Sequence, residues 1–144
     1  MAVHHVPSGF HAITPYLVVE GAARLIDFVQ KVFGAEVLDR MAGSDGKIHH
    51  AAVKIGDSML EMADTKGTWS PMPAGLHVYV PDIDAAYQRA LDAGAVSMLA
   101  PADQFYGERS ASVRDPLGNV WHIATHTEDV SEEEMKRRMA GMGK

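Results

Sequence analysis

The sequence contains no cysteine among its 144 residues. This absence excludes disulfides, thiolate metal sites, a cysteine nucleophile and thiol redox chemistry, and it gives no support for a secreted disulfide scaffold. No run of 18 apolar residues is present, and the first fifteen residues lack the apolar segment of a signal peptide. The sequence therefore predicts a cytoplasmic protein without a membrane-spanning helix.

A basic excess is also missing, because 13 basic side chains stand against 19 acidic ones, for a formal net charge of −6. Surfaces that bind nucleic acid or anionic membranes normally need such an excess, so both partners are disfavoured. The apolar share of 47% and the charged share of 22% are typical of a globular protein and exclude wholesale disorder. The polar chemistry that remains is rich in histidine, with eight residues.

Periodicity divides the chain into helices and strands. Apolar residues at helical spacing predict helices over residues 22–33 and 82–93, which Gly34 and Gly94 end. Ser131 and Glu134 form a capping box at the start of a third helix. Alternation of period two predicts strands over residues 11–19, 36–41, 48–55, 58–63, 76–80, 97–100, 110–114 and 120–125.

The order strand, helix, three strands occurs twice, with an offset of about 60 residues. The repeat predicts an α+β fold of duplicated βαβββ modules, module one over residues 11–64 and module two over residues 75–126. An N-terminal arm over residues 1–10 and a C-terminal helical segment over residues 127–144 flank the two modules.

Alternation within the strands also separates two faces of each module. Aliphatic residues are expected to face the helices, and a second face collects histidine, tyrosine and glutamate, which are typical of a cavity lining rather than of a solvated surface. This second face is predicted to carry Thr14, Tyr16, His50, Glu61, His77, Tyr79, Ser110, Ser112, Arg114 and His122.

Three segments carry a resemblance to a known family: residues 22–34, residues 80–86 (VPDIDAA) and the hairpin DPLGN over residues 115–119. With them the chain resembles the vicinal oxygen chelate superfamily, which includes glyoxalase I, extradiol dioxygenases and bleomycin-binding proteins. Residues 15–19 and 103–107 are similar to its PhnB-like branch. The resemblance implies a curved mixed sheet around a small-molecule cavity, and a homodimer.

Metal-dependent members of that superfamily take ligands from the first, fourth, fifth and eighth strands. Carried over residue by residue, these positions fall on Thr14, Glu61, Gly75 and His122. Only Glu61 and His122 are usual ligands, and His77 lies about 6–7 Å along the strand from Gly75 as a stand-in. The resemblance thus implies a site for Fe, Mn, Zn or Ni formed by Glu61, His77 and His122, with Glu61 also as the catalytic group.

Two functions remain open from the sequence. One is a metal-assisted lyase, isomerase or dioxygenase acting on a small oxygenated substrate. The other is a metal-free binding protein in which Glu61 and His122 pair directly and line a pocket; a weaker third interpretation is a cavity that has lost its chemistry and serves assembly.

The residues predicted to contact the small molecule are Thr14, Tyr16, His50, Tyr79, Phe105, Tyr106 and Arg114. Each of them has an ordinary structural alternative. The tyrosines can be packing residues, His50 a surface histidine and Arg114 a partner of Asp115. The segment with Phe105 and Tyr106 either covers the cavity mouth or simply connects two strands.

Overall fold

The computed structural model describes residues 3–142. In this part of the chain the elements are β1 (Tyr16–Val19), α1 (Ala22–Phe33), β2 (Glu36–Ala42), β3 (Ile48–Ile55), β4 (Ser58–Asp64), β5 (Gly75–Tyr79), α2 (Ile83–Asp92), β6 (Val96–Gln104), β7 (Glu108–Arg114), β8 (Val120–His126) and α3 (Glu132–Met142). None of the helices within residues 3–142 is long and apolar enough to cross a membrane.

The first of two units comprises residues 3–74 together with Pro116–Asn119. Its sheet has the strand order β1-β4-β3-β2, with β1 parallel to β4 and the other pairs antiparallel. Helix α1 packs on β3 and β4 and buries Leu25, Ile26, Val29 and Val32 at helical spacing. One face of this sheet is therefore covered by α1, and the residues of the other face are available for a site.

The second unit comprises Gly75–Asp115 and residues 120–142, and it repeats the same topology. Its strand order is β5-β8-β7-β6, with β5 parallel to β8. Asp82 caps α2 by accepting a hydrogen bond from the Ala85 N–H at 3.2 Å. Trp121 is buried on β8, and its Nε1–H donates to Asp115 Oδ2 at 2.8 Å.

The predicted fold class is confirmed, because each unit consists of a strand, a helix and three further strands in one mixed sheet. The predicted bounds of α1 and β3 coincide with those of the structure. The boundaries predicted for the arm, the modules and the C-terminal segment stay a prediction, and residues 1, 2, 143 and 144 lie outside the described residues.

Strands β1 and β6 differ most from their predicted lengths, for reasons of pairing. Strand β1 begins at Tyr16 rather than at residue 11, since its pairing with β4 starts at the Tyr16–Glu61 register, and Ile13 before it is 88% exposed. Strand β6 continues through Pro101 to Gln104. Proline has no N–H to donate, but Pro101 lies in a register shift against β7, between Leu99 and Ala102, where the ladder is already interrupted.

Helix α1 begins after Gly21, which has no side chain to cap the helix. Asp64, at the end of β4, supplies the cap instead. Its Oδ1 accepts from the N–H groups of Gly21 at 2.7 Å and Ala22 at 2.9 Å, and its Oδ2 from that of Ile48 at 2.7 Å. Burial by itself raises the pKa of Asp64, but these backbone donors outweigh it and hold the pKa below its usual value. The carboxylate thus joins α1, β3 and β4.

Polar contacts, not packing, hold the C-terminal segment, because no described residue of α3 is buried. Arg138 Nη1 donates to the Phe105 carbonyl at 2.9 Å and to Glu128 Oε1 at 2.7 Å. The Gly107 carbonyl accepts from the N–H groups of Thr127 at 2.8 Å and Glu128 at 3.2 Å. The turn between β6 and β7 is therefore the anchor for residues 127–142.

Candidate functional site

Three neighbouring strands of the first unit bring Tyr16, His50 and Glu61 to one face of the sheet. Tyr16 on β1 is the register partner of Glu61 on β4, and Ala52 on β3 is the partner of Glu61 on its other side. His50 lies two residues from Ala52, so the pleat points both to the same face. The residues that alternate with these along the strands, such as Ala51 and Met62, are fully buried on the opposite face.

His50 bridges two carboxylates on this face. Its Nδ1 lies 2.9 Å from Asp39 Oδ2 on β2, and its Nε2 lies 3.0 Å from Glu61 Oε1. Burial lowers the pKa of His50, but the hydrogen bonds to Asp39 and Glu61 outweigh it and raise the pKa above its ordinary value. Because carboxylates only accept, the imidazolium with two N–H groups is the form that satisfies both contacts.

Two aromatic rings complete this surface. The Tyr16 ring centroid lies 5.9 Å from that of Trp69 in an edge-on arrangement and 6.0 Å from that of His50. Burial, followed by the charge of Glu61, raises the pKa of Tyr16, so its phenol stays protonated. Tyr16 is 40% exposed and Trp69 is 50% exposed. We call these five residues (Tyr16, Asp39, His50, Glu61 and Trp69) the Tyr16 surface.

The second unit has an equivalent face with different chemistry. His77 on β5 is the register partner of His122 on β8, and their ring centroids are 6.5 Å apart. His122 Nδ1 lies 2.8 Å from the Ser112 hydroxyl oxygen, so this contact uses one of its two ring nitrogens. The ring centroids of Tyr79 and His77 are 4.7 Å apart. The Tyr79 hydroxyl donates a hydrogen bond to Glu108 at 2.8 Å, and this bond raises the pKa of Tyr79.

The other predicted contact residues lie outside the strands' ring and carboxylate contacts described above, although Tyr106 is close enough to Tyr79 to contribute to its raised pKa. Thr14 precedes β1, and its hydroxyl donates to the His11 carbonyl at 3.4 Å. The rings of Phe105 and Tyr106 contact each other edge-on at 5.1 Å in the turn between β6 and β7. Arg114 is exposed at the end of β7. Their contact with a small molecule stays a prediction.

Sequence reasoning missed Asp39 and Trp69. Asp39 follows a register shift in β2, so alternation counted from the start of that strand does not predict on which face of the sheet Asp39 lies. Trp69 lies between β4 and β5, where residues Lys66 and Trp69 form an isolated bridge. The available signal was a large aromatic residue in a segment otherwise rich in small, polar and proline residues.

The donors at the family's metal positions do not fit the implied metal. The Thr14 hydroxyl is bound to a backbone carbonyl, and Gly75 offers no side chain. Glu61 and His122 each have a side-chain partner within their own unit, His50 and Ser112. Within residues 3–142, no group of three or more His, Asp or Glu side chains is arranged to hold a metal ion. The metal set of Glu61, His77 and His122 stays a prediction that no described contact supports.

Comparison with known proteins establishes the family. Residues 4–123 match the model of the Glyoxalase/Bleomycin resistance protein/Dioxygenase superfamily. The chain belongs to this superfamily, as its sequence resemblance indicated; its assignment to the PhnB-like branch stays a prediction. The chain is also 36% identical over 143 residues to the uncharacterized protein Mb0911c of Mycobacterium bovis, covering 92% of this chain and 94% of that protein.

Solved structures with the same fold include two at 25% sequence identity. TioX from Micromonospora sp. ML1 superposes with a TM-score of 0.69, over 81% of this chain and 98% of TioX. TnmS3, an antibiotic binding protein from Streptomyces sp. CB03234, has a TM-score of 0.63, over 88% of this chain and 99% of TnmS3.

Proposed function

We propose that this protein binds a planar aromatic small molecule on the Tyr16 surface and that it needs no metal ion to do so. One observation carries the proposal: Tyr16 and Trp69 form an edge-on pair and stay 40% and 50% exposed. The neighbours of Tyr16 on the strand, Leu17–Val19, are all buried. The exposed ring therefore stands on a fixed backbone.

Physical chemistry favours a flat ligand for such a surface. Aromatic contacts are worth about 0.5–1.5 kcal/mol beyond the area that they bury. A ring that is already held in place loses little conformational entropy when a ligand covers it, so more of the contact energy appears as affinity. Glu61 and His50 beside the ring supply polar groups that can orient a ligand lying on the aromatic rings.

The comparisons support a binding role for this chain. TnmS3 is an antibiotic binding protein and shares the fold at 25% identity. Binding of an antibiotic is therefore an activity that this fold carries out in a protein similar to this one. A homodimer and a cytoplasmic location, both expected from the sequence, remain part of the proposal.

A second candidate is the metal-assisted lyase, isomerase or dioxygenase with Glu61 as the catalytic group. The observation in its favour is the 3.0 Å contact between His50 Nε2 and Glu61 Oε1, which is the geometry of an acid–base pair. We prefer the binding function, because two of the four family metal positions, Thr14 and Gly75, carry no usual metal ligand.

Replacing Tyr16 by alanine is expected to weaken the binding of a planar tricyclic probe by about tenfold or more, which corresponds to about 1.4 kcal/mol. The reason is that the variant removes the ring on which the ligand lies. Isothermal titration calorimetry with acridine and with N-methylacridinium measures the affinity directly.

The matched control is Leu38→Ala on β2, since Leu38 is 44% exposed and Tyr16 is 40% exposed. This variant is expected to bind the probes as the unaltered protein does. Equal affinities for Tyr16→Ala and Leu38→Ala would place the ligand elsewhere and refute the proposal.

A further inference from the structure

We infer that the ligand of the Tyr16 surface is an aromatic cation, a planar ring system that carries an alkylated or protonated nitrogen. The inference rests on the proposed function, because it names the charge class of the ligand at that same site.

The charges of the surface favour a positive ligand. Asp39 and Glu61 lie on either side of His50, so two carboxylates stand against one imidazole. The group is negative whether His50 is protonated or neutral. His50 occupies only Oε1 of Glu61, and among residues 3–142 no hydrogen bond to Glu61 Oε2 is found. A positive ligand therefore finds an accepting carboxylate oxygen at this position.

The rings favour the same class of ligand. The π-faces of tyrosine and tryptophan attract cations, and delocalised nitrogen cations stack on them well. Glu61 is the register partner of Tyr16 on the adjacent strand, so their backbones are about 4.8 Å apart. A ligand that covers the Tyr16 ring consequently lies beside the Glu61 carboxylate.

Within residues 3–142, the ion-pair partner of both Asp39 and Glu61 is His50, and neither carboxylate pairs with a lysine. Lys54 lies two residues along β3 from Ala52, the register partner of Glu61, on the side away from His50 and about 8 Å from Glu61. Among residues 3–142 it forms no ion pair with Glu61, whose partner is His50. Lys66 pairs with Trp69 through its backbone, but its side chain is exposed, where water and salt screen it. The net charge of −6 for the whole chain attracts a cation at longer range.

The experiment compares three ligands of nearly equal shape by calorimetry at about pH 8, where acridine is neutral. N-methylacridinium is the cation, acridine the neutral form and acridine-9-carboxylate the anion. The cation is expected to bind about tenfold more tightly than acridine, and the anion more weakly than either. The preference for the cation is expected to decrease as salt is added, because the attraction is electrostatic.

A double variant tests whether the two carboxylates cause the preference. Asp39→Asn with Glu61→Gln leaves the surface neutral or positive, so the cation-to-neutral affinity ratio is expected to fall to about twofold or less. The single variant Glu61→Gln keeps an oxygen for His50 and is expected to reduce the ratio by a smaller factor. The control, Asp27→Asn with Asp57→Asn, removes two exposed charges away from the Tyr16 surface and is expected to leave the ratio unchanged.

The outcomes separate this inference from the proposed function. If acridine binds as tightly as N-methylacridinium, or if the ratio survives in the double variant, the cation preference is wrong and the binding function stands. If none of the three ligands binds to the unaltered protein, the proposed function fails and the inference fails with it.

Discussion

Replacing Asp64 by alanine is expected to lower the free energy of unfolding by about 3–5 kcal/mol. The buried carboxylate accepts three backbone hydrogen bonds, from Gly21, Ala22 and Ile48. The substitution leaves these donors without a partner, and it removes the cap of α1 at the same time. Urea denaturation followed by circular dichroism measures the change. The exposed control Asp27→Ala is expected to stay within about 0.5 kcal/mol of the unaltered protein.

The stability that the Asp64 carboxylate contributes is also expected to depend on pH. Since the folded pKa lies below the unfolded value, the carboxylate contributes its full stability above the unfolded pKa of about 3.9. That contribution is lost as the pH falls through the folded pKa. The difference between the unaltered protein and Asp64→Ala should thus be constant near neutral pH and shrink in strong acid. A difference that grows on acidification would contradict the assigned role of the carboxylate.

Replacing Gly107 by alanine is expected to cost about 3 kcal/mol and to release residues 127–142 from the turn between β6 and β7. Gly107 has a φ of +89°, and a Cβ placed on it would overlap the Glu128 carbonyl oxygen. Residues 127 and 128 would have to move away, and their hydrogen bonds to the Gly107 carbonyl would be lost. Hydrogen exchange of α3 together with urea denaturation reports both effects.

Gly56→Ala is the matched control for this substitution. Gly56 also has a positive φ, of +58°, but nothing lies within 4 Å of the position that a Cβ would take there. It should therefore show only the cost of the left-handed backbone, about 1–2 kcal/mol. If Gly107→Ala costs no more than Gly56→Ala and leaves the hydrogen exchange of α3 unchanged, the turn at Gly107 does not anchor the C-terminal segment.

Local patterns predict most of the fold of this chain. Helix α1 and strand β3 follow from apolar spacing alone, and the Asp82 and Ser131 caps that the sequence indicates are present as hydrogen bonds at the starts of α2 and α3. Strand β1 is shorter than its pattern, because a strand extends only where a partner pairs with it. The partner of a strand end is a property of the fold and is not encoded in the local alternation.

The candidate site is predictable only in part. Strand alternation groups Tyr16, His50 and Glu61, and the structure brings these three together; what they bind stays a prediction. The imidazole that contacts Glu61 is that of His50, and His122 instead contacts Ser112. Asp39 and Trp69 depend on a register shift and on the path of a connecting segment, and neither leaves a periodic signal in the sequence.

Tryptophan fluorescence shows whether the Tyr16 surface binds an aromatic ligand without a metal ion. The chain has two tryptophans, Trp69 at 50% exposure and Trp121 at 1% exposure. Titration of chelator-treated protein with N-methylacridinium is expected to quench the emission of Trp69, with a dissociation constant that added Fe, Mn, Zn or Ni does not change. Quenching that appears only after one of these metals is restored would show that binding at the Tyr16 surface requires a metal ion.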